Sequence, residues 1–154
     1  MQALEQERLR ALDDRLRDAT EMNGELLAQV IEAACRRFPS TSQSAKTERI
    51  GRLMESSAWT DAVLALIDLE LPLWKARRIV YDEGEWQCAL SRQRELPDWL
   101  DQSIEARHED LAIAMLRAFV EARRISAPSV RPSVPSVNPC ADLLDEIVCC
   151  DNYA

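Results

Sequence analysis

Asp82-Glu83-Gly84-Glu85 is a turn cluster set between two runs rich in β-branched and aromatic residues, the pattern of a tight hairpin. Gly84 can take the positive φ that such a turn demands. A two-residue turn at Glu83-Gly84 and a four-residue loop from Asp82 to Glu85 give the same register: Tyr81 opposite Trp86 and Ile79 opposite Cys88. One face then carries Ile79, Tyr81, Trp86, Cys88 and Leu90, and the other Arg78, Val80, Gln87 and Ala89. That alternation belongs to a half-buried antiparallel pair. Two strands are not stable alone in water, so helices must cover the apolar face. A helix from Pro72 to Tyr81, with Trp74, Arg78 and Tyr81 on one side, competes for the same residues, because short apolar runs fit either period.

The flanking segments read as helices. Trp59, Ala62, Val63, Leu66 and Ile67 form a stripe on a helix from Trp59 to Glu70, which Pro72 ends by pushing Leu71 out of helical conformation. A shorter helix from about Ala45 to Glu55 precedes it, with Ile50, Leu53 and Met54 on one face. Pro97 suits the start of a helix running to about Arg124, with Leu100, Ile104, Leu111, Met115, Leu116, Phe119 and Val120 as its apolar face. The expected core is Trp59, Val63, Leu66, Ile79, Tyr81, Trp86, Leu90, Ile104, Leu111, Met115 and Phe119.

Residues 1–38 read as helix, continuous or broken near Gly24. Leu9, Leu16, Asn23 and Val30 fall at heptad position a, and Leu12, Ala19, Leu26 and Ala33 at d. Such a seam suits a short homo-oligomeric coiled coil with Asn23 setting its register. Met22, Leu27, Ile31 and Ala34 widen the stripe, which suits packing on the chain's own domain instead.

Residues 127–139 repeat Pro-Ser-Val three times and hold four prolines, the composition of an extended, disordered linker. Beyond it, Leu143, Leu144, Ile147 and Val148 alternate with acids in a tail too short to hold a helix by itself but able to dock in a groove. The expected organisation is an N-terminal amphipathic helix (1–38), a compact α-β-β-α domain (45–126), the linker (127–139) and an acidic apolar tail (140–154). The fold class is α+β, mostly helical, with helices on one hairpin at about 74–92.

A net charge of −8 opposes general affinity for nucleic acid or anionic membranes. No window is apolar enough to cross a bilayer, and residues 1–20 lack the apolar core of a secretory signal. Five cysteines without framework spacing suit reduced thiols in a cytoplasm.

Chemistry-bearing patterns are sparse. Glu105-x-x-His108 has the spacing of a di-iron half-site, but His108 is the only histidine and that site needs the motif twice. Cys88 with His108 is a conceivable thiolate pair that nothing in the spacing brings together. Cys149-Cys150 lacks further zinc ligands, and the turn acids lack a calcium loop. No phosphate-binding Gly-rich loop or nucleophile elbow is present. No enzyme, metal or cofactor is therefore expected.

The sequence favours a non-catalytic interaction or regulatory protein, meeting a protein partner or a second copy through Leu9, Leu12, Leu16, Asn23, Leu26 and Val30, or through Leu143, Leu144 and Ile147 of the tail. The alternative is a nucleic-acid-associated protein using Lys75, Arg77, Arg78, Arg92 and Arg94 beside Trp74 and Trp86. Acids nearby, Glu70, Asp82, Glu83, Glu85 and Glu95, offset that cluster almost fully.

The pattern Glu70-Leu71-Pro72, Arg77-Arg78-Ile79, Tyr81-Asp82, Gly84-Glu85-Trp86 and Cys88 resembles a hairpin region of small uncharacterised bacterial proteins. The resemblance covers at most residues 59–124 and implies no activity, cofactor or partner.

Overall fold

The computed structural model describes residues 2–36, 38, 45–92 and 103–126. Among them the order is α1 (Gln2–Asp18), α2 (Gly24–Ala34), α3 (Ala45–Glu55), α4 (Trp59–Glu70), β1 (Lys75–Asp82), β2 (Glu85–Ser91), β3 (Ser103–His108) and α5 (Leu111–Ser126). The fold is α+β and mostly helical, as the patterning implies. The expectations for Pro97, Leu100, residues 127–139 and residues 140–154 lie outside the described residues.

The hairpin forms in the expected register, Tyr81 opposite Trp86 and Ile79 opposite Cys88, which excludes a helix from Pro72 to Tyr81. Its turn is the two-residue one: Asp82 pairs with Glu85, and Glu83 (φ 52°) and Gly84 (φ 87°) both take positive φ. That combination matches the right-handed twist of the strands. A bulge at Ala76–Arg78 interrupts β1 near its base.

The sheet has a third strand that sequence periodicity placed in a helix. β3 pairs antiparallel with β2, Leu90 opposite Ile104 and Cys88 opposite Ala106. The helix expected from Pro97 to Arg124 is therefore wrong over 103–108, and helix begins only at Leu111. Ile104, Ala106 and His108 alternate inward at period 2, but a three-residue signal was absorbed into the stronger helical pattern that follows it. The strand order β1-β2-β3 leaves β1 and β3 at the edges.

Helix α5 is the centre of the core. Its residues from Ala112 to Phe119 are buried apart from Arg117, as a helix enclosed on several sides requires. It packs on β2 and β3 through one side and on α1, α2 and α4 through others. β1 lies beyond that cover, its principal neighbour being β2.

The expected core is partly corrected by this placement. Val63, Leu66, Leu90, Ile104, Met115 and Phe119 are buried, and Trp59, Trp86 and Leu111 pack partly buried against them. Ile79 and Tyr81 point to the correct side of the sheet yet remain 39% and 59% exposed, because none of the described helices packs extensively on β1. Trp74, expected only as a strand residue beside the arginines, is instead deeply buried, and its indole N–H donates to Ser126 Oγ at 3.0 Å.

Of the two forms expected for the N-terminal segment, the structure takes the broken one, with α2 starting at Gly24. Asn23 is exposed and caps α2, its Oδ1 accepting from the Leu26 amide at 2.8 Å. It therefore does not sit at a buried heptad position. Leu9, Leu12, Leu16, Leu26 and Val30 are buried within the same core cluster as α5. The broad stripe of α2 packs inside the chain, and so does the seam of α1.

Candidate interaction surface

Three places bring polar or exposed apolar side chains together: the turn around His108, the buried residues Cys35 and Glu70, and the outer edge of the hairpin.

His108 ends β3, and both of its ring nitrogens serve the fold. Nδ1 accepts from the Asp110 amide at 2.9 Å, so Nε2 carries the proton and donates to the Ala19 carbonyl at 2.8 Å. Asp110 continues the junction. One carboxylate oxygen accepts from the Met22 amide at 3.1 Å and the other from Ile113 at 3.2 Å, at the first turn of α5. The α1–α2 turn is thus latched to the β3–α5 turn by one imidazole and one carboxylate. With both nitrogens bonded, His108 has none left to act as a base toward Cys88. Cys88 itself is fully buried, and burial pushes its thiol up to about 11, which favours the inert neutral form.

Glu70, at the end of α4, is buried and accepts from the backbone N–H groups of Arg36 (3.0 Å) and Phe38. Those donors lie just past the end of α2, so the carboxylate fastens α4 to that exit. Cys35 lies close by. Burial raises its thiol pKa first, the Glu70 charge raises it further, and Arg123 partly opposes both. Cys35 is therefore held in its neutral form and is not an activated nucleophile. Among the described residues, no group of three or more His, Cys, Asp and Glu is placed to hold a metal ion. No helix among them is long and apolar enough to cross a membrane.

The two tryptophans expected beside the arginine-rich cluster are separated by burial: Trp74 is buried and Trp86 half-buried. Lys75, Arg77 and Arg78 are exposed on β1 and Arg92 follows β2, while Arg94 lies outside the described residues. Lys75 pairs with Asp68 at 3.1 Å. Trp74 is enclosed in the core and presents no ring face to a base.

The hairpin edge is different. Asp82 and Glu85 flank a two-residue turn, so they are the hydrogen-bonded pair, and the pattern alternates from there. Val80 then shares its main-chain bonds with Gln87, while the N–H and C=O of Ile79 and Tyr81 point away from β2. Beside these outward groups lie the exposed side chains of Ile79 and Tyr81, with the Tyr81 ring 5.1 Å from that of half-buried Trp86. The opposite edge of the sheet is treated otherwise: the Arg107 carbonyl on β3 accepts from the Arg117 guanidinium, which Asp13 anchors at 2.9 Å.

Sequence reasoning found the residues of this edge but placed them in the core. The missing information was which strand the helices leave uncovered, a quantity that strand alternation does not carry. Of the expected interaction residues, Leu9, Leu12, Leu16, Leu26 and Val30 are enclosed, Asn23 is a helix cap, and Leu143, Leu144 and Ile147 lie outside the described residues. Compared with known proteins, this chain matches no family model, no curated sequence and no solved structure.

Proposed function

We propose that this protein is a non-catalytic interaction module that presents the outer edge of β1 to an extended protein segment. The observation that carries the reading is the combination at Ile79 and Tyr81: exposed apolar side chains on an edge strand whose outward main-chain groups have no strand beside them among the described residues. Such an edge is a template for strand addition, in which main-chain bonds supply affinity and alternate side chains supply selectivity. Natural edges are usually blunted by charge, proline or a covering element. In β1 the bulge, Lys75 and Arg77 lie at the base, while Ile79, Val80 and Tyr81 form an uncharged, regular stretch. Reduced, buried Cys35 and Cys88 suit a cytoplasmic setting.

Site-specific photo-crosslinking in living cells tests this. A photoreactive residue at Tyr81 should give a discrete protein adduct, and the same residue at exposed Ala28 on α2 should not. Equal labelling at both positions would reject the edge as the contact surface. A proline at Tyr81 removes an outward N–H without touching the β1–β2 ladder, so it should abolish binding while the fold persists.

A further inference from the structure

We infer that the segment received by β1 is the β1 strand of a second copy of this chain, paired antiparallel about a two-fold axis through Val80. This rests on the interaction reading above and names its partner.

Opposed residues of an antiparallel pair lie on the same face of the sheet. A two-fold pairing perpendicular to the sheet must therefore centre on a residue, and the centre decides which side chains meet. With Val80 on the axis, Ile79 lies opposite Tyr81 of the second copy, and Arg78 lies opposite Asp82 of the second copy. Each relation occurs twice by symmetry. The apolar face thus gains aromatic–β-branched pairs, and the other face gains opposite-charge pairs, both stabilising across strands.

The main chain agrees with the same centre. The outward groups are those of Ile79 and Tyr81, and this register sets them opposite one another, so each such pair exchanges both N–H···O=C bonds. Centring on Ile79 instead would put Arg78 opposite Val80 and leave the charges unmatched. Arg78 and Asp82 are both exposed, and neither has an ion-pair partner among the described residues. The bulge at Ala76–Arg78 sets where the new pairing ends. The other edge of the sheet is not equivalent, since Arg117 already occupies the Arg107 carbonyl.

Analytical ultracentrifugation of the full chain over a wide concentration range, with charge reversals, tests the register. The wild type should dimerise reversibly. Arg78→Asp and Asp82→Arg should each weaken the dimer by about tenfold or more, since each makes two like-charge contacts across the axis. The double reversal should restore association. Thermal melts of the variants check that these exposed substitutions leave the fold intact. A second measurement uses Val80→Cys with Cys140, Cys149 and Cys150 replaced by serine. Oxidised glutathione should then link two copies through residue 80, and Arg78→Cys in the same background should link them far more slowly.

A wild type that stays monomeric at millimolar concentration overturns the inference. A dimer indifferent to both single reversals overturns it too, as does a double reversal that fails to restore association. A Tyr81 photo-adduct to a different protein, or to the chain's own residues 140–154, also overturns the second-copy assignment. The first of those adducts would leave the interaction reading standing. Absence of any adduct at Tyr81 would remove both.

Discussion

His108 and the two buried cysteines show how much of this fold depends on single polar groups. Replacing His108 by alanine leaves the Ala19 carbonyl and the Asp110 amide without their partner. The expected cost is about 1–3 kcal/mol, the range for orphaned buried polar groups, read as a lower urea midpoint at unchanged slope. Cys88 carries a pH dependence with a definite sign. Its thiol pKa is raised in the folded state from near 9 to about 11, and that of Cys35 is raised as well. The native state therefore holds these protons where the unfolded chain releases them. Their contribution is fully present below about pH 9 and is lost as pH rises toward 11. Equilibrium unfolding at stepped alkaline pH should show stability falling across that window, and changing both cysteines to alanine should flatten the fall. Trp74→Ala should cost about 3–5 kcal/mol as a fully enclosed aromatic. Trp86→Ala should cost less, since Trp86 keeps one side in solvent.

Among elements, the hairpin turn and the α1–α2 break have clear local causes. Glu83 and Gly84 both lie at positive φ, and a Cβ on Gly84 would meet nothing within 4 Å, so the requirement there is conformational rather than steric crowding by neighbours. Gly84→Val should destabilise by about 1–2 kcal/mol, measurable by thermal unfolding. α1 stops at Asp18, and Asn23 caps the helix that follows. Asn23→Ala should cost about 1 kcal/mol. The loss should not depend on protein concentration, which separates a helix cap from a coiled-coil register residue. Both elements were partly legible. The turn chemistry at Asp82–Glu85 identified the hairpin and its register, and the possible break near Gly24 was visible as a glycine. The choice between broken and continuous helix depends on whether Leu26 and Leu9 face one core, which a heptad pattern cannot say.

For the whole molecule, α1 is part of the core and not an appendage. Leu9, Leu12 and Leu16 are buried, Gln6 donates to the Arg124 carbonyl at 3.1 Å, and Asp13 pairs with Arg117. Burying three leucines contributes free energy on the order of the net stability of a domain this size. Deleting residues 2–18 should therefore collapse amide dispersion in a two-dimensional NMR spectrum. A dispersed spectrum from the truncated chain would show that the remaining helices close the core alone.

By itself, the sequence determined whatever is local or periodic: the place of the tight turn at Asp82–Glu85, the register from Tyr81–Trp86 to Ile79–Cys88, the stripe of α4, and the α+β class. These follow from backbone sterics and side-chain alternation within a few residues. Only tertiary structure decided the rest. β3 became a strand because β2 offered it an edge, although its neighbours suggested helix. The leucines of α1 turned inward because α5 lay against them, although their spacing equally suited another copy. Ile79 and Tyr81 have the same inward pattern as Cys88 and Leu90, yet one pair is exposed and the other buried. The physical reason is that alternation specifies a face, while burial depends on how far the covering helix reaches across the sheet.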